Sequence, residues 1–178
     1  MSGVERDVTS TEESAGDLAG GVGQLAAQLG VSVGVAESLT GGLVVQALAS
    51  SEGAATWLRG GVVAYARSVK QDLLDVEVGR VVSERAARRM AAGARRVLGA
   101  DVAVGLTGVG GPDEQDGETP GTVWIAVDDG SRSQAFVHHF DGDPPAVCDQ
   151  ACRAALDALR RMLDSADPSS PPVERVGA

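Results

Sequence analysis

Ser38 and Thr40 lie in the stretch Glu37-Ser38-Leu39-Thr40-Gly41-Gly42, where an apolar run stops and a helical pattern starts. Hydroxyls on a tight strand-to-helix turn sit beside free backbone N–H groups and the positive end of a helix dipole. That setting suits an anion such as phosphate. It also suits a developing oxyanion next to a hydroxyl nucleophile. A plainer reading makes Ser38 or Thr40 an N-cap and the two glycines a means of turning sharply; the stretch alone leaves both open. A second glycine-rich loop, Thr107-Gly108-Val109-Gly110-Gly111-Pro112, again begins where an apolar run ends. Ligand sites of α/β sheets gather at such strand ends. This loop has no GxGxxG opening a helix and no Walker lysine, so neither a Rossmann cofactor nor a nucleoside triphosphate is indicated. Between the two loops stands Lys70, early in a short helix, where a cation opposes the dipole. It is either a solvated side chain or a lysine held near a site, its pKa lowered by burial and positive surroundings.

The elements that would position these residues follow from periodicity and punctuation. Residues 17–29 repeat apolar positions at three- and four-residue steps, which predicts an amphipathic helix closed by Gly30. Residues 31–36 predict a buried strand, and Leu43, Val44, Ala47 and Leu48 share one face of the helix after it. Residues 53–59 form a short connection with a helical turn around Trp57. Residues 60–66 predict a second strand, and Ser68 is expected to cap the helix that carries Lys70 to Leu74. Ser83 opens a longer helix to Leu98, whose many arginines read as a solvated face. Residues 101–106, 121–127 and 134–140 predict three further strands. Asp128-Asp129-Gly130-Ser131 makes a hairpin turn between the last two. Residues 141–145 break the chain before a final helix to about residue 163. His138 and His139 are adjacent in a strand, point to opposite faces and are read as structural.

Composition narrows the partners. The 178 residues are 43% hydrophobic but only 3% aromatic, with many small residues that let helices lie close on a sheet. One domain over residues 17–163 is expected, between mobile tails at 1–16 and 164–178. The net charge of −10 argues against duplex nucleic acid, whose binding comes mostly from Lys and Arg on phosphates. A small anionic ligand is still compatible, since a local site can differ in sign from the surface. No apolar run approaches a membrane span, and the polar start lacks a secretion signal, so a cytoplasmic protein without membrane contact is expected. Cys148 and Cys152, four apart, lack the further ligands of a structural zinc site and are read as small core residues; no metal is expected.

Three stretches, Ala36-Glu37-Ser38-Leu39-Thr40-Gly41-Gly42, Gly61-Val62-Val63-Ala64-Tyr65 with Lys70, and Thr107-Gly108-Val109-Gly110-Gly111-Pro112 followed by Pro120-Gly121-Thr122-Val123, together resemble the CinA C-terminal domain family. Active members of that family are nicotinamide mononucleotide amidohydrolases. The resemblance spans about residues 17–163. It implies a single α/β domain with a mixed β-sheet covered by helices, a homodimer, no metal or cofactor, and a small-molecule nucleotide substrate. It implies Ser38 as nucleophile and Lys70 as its base. It implies substrate-pocket roles for Thr40, Gly41, Gly42, Tyr65, Thr107, Gly108, Gly110 and Gly111. The chemistry is consistent with these residue types: a serine hydroxyl needs a base within hydrogen-bond reach, and a lysine can serve once burial has made it neutral.

The chain also departs from the family pattern. The family carries Gly-Asp-Arg-x-x-Val-Arg at the start of its last helix, and here Pro144 and Cys148 replace both arginines. Losing an arginine contact to a phosphate costs about 1.5–3 kcal/mol of binding. Arg67, three residues before Lys70, is expected to restore part of that charge. Ala66-Arg67 stands where the family tends to Ser-Asn, and Gly110 where it tends to alanine. Three readings compete: an amidohydrolase of nicotinamide mononucleotide, a related amidase of a different carboxamide, phosphorylated or not, and a non-enzymatic or catalytically weakened nucleotide-binding or regulatory module.

Overall fold

The computed structural model describes residues 13–166. Most of the two expected tails lies outside the described residues. The helix α1 (Ala15–Leu29) starts slightly earlier than periodicity placed it, because Ser14 and Asp17 form a capping box. The hydroxyl of Ser14 satisfies a backbone N–H of the first turn, and the Asp17 carboxylate returns the bond.

The rest follows in the order β1 (Val33–Glu37), α2 (Leu43–Ala49), α3 (Ala54–Trp57), β2 (Leu58–Val63), α4 (Arg67–Leu74), α5 (Glu84–Leu98), β3 (Val102–Gly108), β4 (Thr122–Asp128), β5 (Ser133–His139) and α6 (Pro144–Asp164). The strands form one sheet in the order β2-β1-β3-β4-β5. β2, β1 and β3 are parallel, and β4 and β5 continue the sheet antiparallel. The fold is therefore α/β with a mixed sheet.

Alternation along the strands sorts two layers. Val33 and Val35 of β1, and Val102, Val104 and Leu106 of β3, pack with α1, α2 and α6. Ala36 and Ala103 on the opposite face pack with α4 and α5. That second face is built from small residues, and α5 lies almost on the backbone of the sheet. A Cβ at Gly105 would stand 2.4 Å from the Ala91 nitrogen and 2.7 Å from the Ala87 oxygen. Both are backbone atoms of a helix that cannot yield locally. Gly105→Ala is expected to cost about 1–3 kcal/mol or more and to lower the melting temperature by about 3–10 °C, read by thermal denaturation.

Two helix starts differ from expectation. Ala66, not Ser68, occupies the N-cap of α4, and no side chain caps it. The prolines expected to break the chain instead open α6: Pro144 and Pro145 take its first positions behind the Asp143 cap, where a missing N–H costs nothing.

Candidate active site

The chain leaves β1 for β2 on one side and returns to β3 on the other, so the order reverses at β1. A crevice opens outside the carboxyl ends of the strands at such a reversal. A cavity of about 350 Å³ lies there, lined by Ser38 and Leu39 after β1, Tyr65 after β2, and Gly108 to Gly111 at the end of β3. Lys70 of α4, Asp113, Glu114 and Gln115 of the following loop, and Pro144 and Cys148 of α6 complete it. A larger concavity of about 430 Å³ lies along α5, but its arginines are engaged: Arg85 pairs with Glu77 and Arg88 with Glu84.

The turn after β1 is held by a residue that sequence reasoning passed over. Glu37, fully buried at the end of β1, accepts four hydrogen bonds. Its Oε2 takes the Thr40 hydroxyl at 2.7 Å, the Gly42 amide at 3.0 Å and the Val44 amide at 3.1 Å, and its Oε1 takes the Val45 amide at 2.8 Å. The first turn of α2 is thus capped by a carboxylate from the preceding strand, where the dipole favours negative charge. Neither Ser38 nor Thr40 is the N-cap. Gly42 occupies that position with φ of 112°, a backbone conformation that only glycine enters cheaply. The available signal was an acidic residue ending an otherwise apolar strand directly before a helix.

Glu37 changes which amides are free. The Gly41 and Leu43 amides donate to the carbonyls of Ser38 and Thr40. With Gly42, Val44 and Val45 committed to Glu37, the amides of Leu39 and Thr40 are the donors left at this turn.

Lys70 is not a solvated side chain. It is 2% exposed, and its Nζ donates to the carbonyl oxygens of Ala64 at 2.7 Å and Tyr65 at 3.2 Å. Burial, and then the neighbouring Arg67 guanidinium, bring its pKa down to about 8 against an opposite pull from Asp116. Ser38 is 8% exposed and faces the same cavity. The two side chains make no hydrogen bond with each other.

The other expected pocket residues divide. Tyr65, Gly108, Gly110 and Gly111 line the cavity; Thr40, Gly41, Gly42, Arg67 and Thr107 do not. The Thr40 hydroxyl serves Glu37. The Thr107 hydroxyl is buried and donates to the Val81 carbonyl at 2.7 Å. Arg67 does not offer a free charge to a ligand: its guanidinium binds the Gly79 carbonyl at 2.7 Å and the Asp116 carboxylate. Asp116 also receives the amides of Val81 and Val82, so the pair ties the loop before α5 to the loop after β3.

Cys152 is buried as expected, and burial pushes its thiol up to about 12. Cys148 departs from the core reading. Its thiol reaches the cavity wall and donates to the Leu39 carbonyl at 3.2 Å. His138 stacks on Phe140, with ring centroids 5.1 Å apart, and His139 Nδ1 lies 3.3 Å from the Thr122 hydroxyl. Among the described residues no group of three or more His, Cys, Asp and Glu is placed to hold a metal ion, and no helix is long and apolar enough to cross a membrane.

A mixed-sheet α/β domain with two glycine loops and a buried lysine at the carboxyl edge defines a class of small α/β proteins. Residues 16–163 match the CinA C-terminal domain, and the chain belongs to that family. It is 43% identical over 148 residues to a CinA-like protein of Anaeromyxobacter dehalogenans, covering 80% of this chain and 36% of that protein. It is 40% identical over 153 residues to a CinA-like protein of Frankia casuarinae, covering 82% and 35%. The chain therefore spans about a third of the length of these relatives. Among solved structures it resembles a competence-damaged protein (CinA) superfamily protein from Enterobacter cloacae, with TM-score 0.82, 30% identity, and 92% of this chain and 98% of that chain covered. A superfamily protein from Escherichia coli gives TM-score 0.80 and 32% identity, with 84% and 90% covered.

Proposed function

We propose that the chain hydrolyses the C–N bond of a nicotinamide-type carboxamide, with Ser38 as nucleophile and Lys70 as general base. The observation that carries this reading is the burial of Lys70 beside the cavity and its bonding to two carbonyls. A neutral amine that gives two hydrogens to the Ala64 and Tyr65 carbonyls keeps its lone pair for a third direction, and its pKa near 8 makes that form accessible. Ser38 Oγ attacks the carboxamide carbon and Lys70 takes its proton. The Leu39 amide, beside Ser38 in the cavity wall, is the candidate donor to the oxyanion that forms. The Lys70 ammonium then protonates the leaving nitrogen, ammonia departs, and an ester remains on Ser38. Water, deprotonated by Lys70, frees the carboxylic acid and regenerates the hydroxyl.

Nicotinamide mononucleotide is the compound that the family resemblance implies, giving nicotinic acid mononucleotide and ammonia. Ammonia release, together with mass spectrometry of the Ser38 peptide after acid quench, tests the reading. An acyl adduct on Ser38 is expected; turnover with the adduct on another residue, or no turnover of any nicotinamide carboxamide, overturns it.

Arg67 enters the reaction through Lys70. Its positive charge helps lower the Lys70 pKa, and Asp116, which it pairs with, pulls the other way. Arg67→Ala removes the first effect and leaves the second without its counter-charge. The pH midpoint of kcat is expected to rise, reducing turnover at pH 7 by about two- to tenfold while the plateau at high pH persists. A pH–rate profile reads both.

A further inference from the structure

The loop that carries Asp113, Glu114 and Gln115 along the cavity has no apolar side chain to hold it. Between Pro112 and Pro120 the chain reads Asp-Glu-Gln-Asp-Gly-Glu-Thr, and residues 112–115 are exposed. At its base the Val109 amide donates to the Thr122 carbonyl at 2.9 Å, and the Gly121 amide to the Val109 carbonyl at 2.7 Å. Its tip is a two-residue hairpin. Gln115 and Glu118 exchange backbone bonds of 3.1 and 2.9 Å, with φ of 57° at Asp116 and 79° at Gly117. An Asp-Gly pair enters such a turn readily, because both central residues need positive φ. A hairpin this short is not stable by itself, so contacts with the rest of the molecule fix where the wall stands.

Those contacts converge on Asp116, whose side chain is 10% exposed. Its Oδ1 receives the guanidinium of Arg67, the first residue of α4. Its Oδ2 receives the Val81 amide at 2.6 Å and the Val82 amide at 3.1 Å. The anchor is itself fixed. Val81 and Val82 are buried, the Thr107 hydroxyl of β3 donates to the Val81 carbonyl, and Arg67 also binds the Gly79 carbonyl. Burial alone would raise the Asp116 pKa, but the Arg67 bond and the two amides bring it below the usual carboxylate range. The tether therefore stays charged in neutral and alkaline solution. The other ion pair of the hairpin, Arg80 with Glu118 at 2.6 Å, lies at the surface, where such pairs contribute little.

Resting on the amidase reading of the same site, we propose that Asp116 is a positioning residue for that reaction, holding the wall of Asp113, Glu114 and Gln115 closed on the crevice. Asp116 does not line the cavity; it acts through the hairpin. With the tether cut, the closed wall becomes one of several loop positions, and the substrate has to select it. Apparent affinity then falls in proportion to the closed fraction. Arg67 and Asp116 share this task but act on Lys70 with opposite signs. Beyond the effect of burial, the guanidinium lowers its pKa and the carboxylate raises it. The other titratable groups that share the cavity with Lys70 are Tyr65, Asp113, Glu114 and Cys148. Arg96, through which α5 reaches the end of α4, is bound to Asp75 and the Leu73 carbonyl. None of these changes in the variants below.

Asp116→Asn and Arg67→Ala in the full chain give a signature that general damage does not. With nicotinamide mononucleotide as the probe, KM is expected to rise about three- to tenfold in Asp116→Asn, for a closed fraction of about 0.1–0.3. It is expected to rise less in Arg67→Ala, which leaves the Val81 and Val82 amides on Asp116. The pH midpoint of kcat is expected to fall in Asp116→Asn and to rise in Arg67→Ala. An unchanged KM in Asp116→Asn overturns the proposal, and so does a KM rise with both midpoints moving together. If Asp116→Asn does not fold, Arg67→Ala at its half-exposed position decides by the same reading. Calorimetry of the same probe on Ser38→Ala, and on Ser38→Ala with Asp116→Asn, separates this from the amidase reading. Binding weakened about three- to tenfold by the second change upholds the positioning role even if the wild type turns nothing over, in which case only the amidase reading falls. Equal affinity in the two, an absence of binding included, overturns the proposal.

Discussion

Lys70→Met is expected to reduce kcat by about 10²–10⁴-fold, the usual worth of a general base, with little change in stability at pH 7. Methionine fills the same buried volume without a charge. What it removes is the cost of housing an ammonium in a space where the pKa has fallen to about 8, a cost on the order of 3 kcal/mol below that pH. What it forfeits are the bonds to the Ala64 and Tyr65 carbonyls, about 1–3 kcal/mol if these are left unpaired. The two nearly cancel. The pH dependence separates the variant from the wild type. The unfolded chain keeps the Lys70 proton up to about pH 10.5, the folded chain only up to about 8. Between these values the folded state binds fewer protons, so wild-type stability rises with pH through this window. Denaturant titrations at pH 7 and pH 10 are expected to show that rise in the wild type and its loss in Lys70→Met. Turnover of the wild type is expected to climb over the same midpoint as the neutral amine accumulates; a flat profile from pH 6 to pH 10 rejects Lys70 as the base. Ser38→Ala is expected to lose a similar factor, and the double variant little more than either alone, because the two residues act as one unit.

Glu37→Ala is expected to destabilise the fold by about 3–5 kcal/mol. Four donors, the Thr40 hydroxyl and the amides of Gly42, Val44 and Val45, lose their acceptor together, and the site of the lost carboxylate is fully buried. A buried donor without a partner costs about 1–3 kcal/mol, reduced here because water can enter the vacated volume. Glu37→Gln keeps one acceptor oxygen but brings an NH₂ group toward amides, so it is expected to fall between the wild type and the alanine variant. The midpoint of urea denaturation orders the three. Activity is expected to fall further than stability in Glu37→Gln, since Ser38 is anchored by the residue on one side of it and by Thr40, through that same carboxylate, on the other.

How far the sequence leads depends on the kind of signal. The five strands appear within a few residues of their expected places, because runs such as Val102 to Leu106 are buried on both faces and glycine or aspartate bounds them. The long helix from Ser83 is capped where the serine predicts, with the hydroxyl accepting from Ala86. The start of α4, which has no polar cap, differs from expectation: nothing in Ala66-Arg67-Ser68 marks Ala66 as the first position outside the helix. The cavity was legible as two glycine loops after two strands. Its electrostatics were not. Arg67 in the sequence is simply a nearby positive charge, and only its partner Asp116, 49 residues away, shows that the charge is spent. Glu37 reads as the end of a strand, and its four acceptor bonds depend on how the next eight residues fold back over it. Cys148 has the spacing of a core residue, yet it sits at the point where α6 passes the cavity.

The wall that contains Pro144 and Cys148 comes from α6, while Ser38 and Lys70, the proposed nucleophile and base, belong to the first half of the chain. α6 is also the main cover over α1, with Leu156 and Leu159 in the same apolar cluster as Leu18 and Val22. A nascent chain emerging from the ribosome therefore carries Ser38 and Lys70 long before it owns a pocket. On the amidase reading, a chain whose α6 has not docked is expected to hold Ser38 and Lys70 without the wall of Pro144 and Cys148 that closes the crevice around a carboxamide.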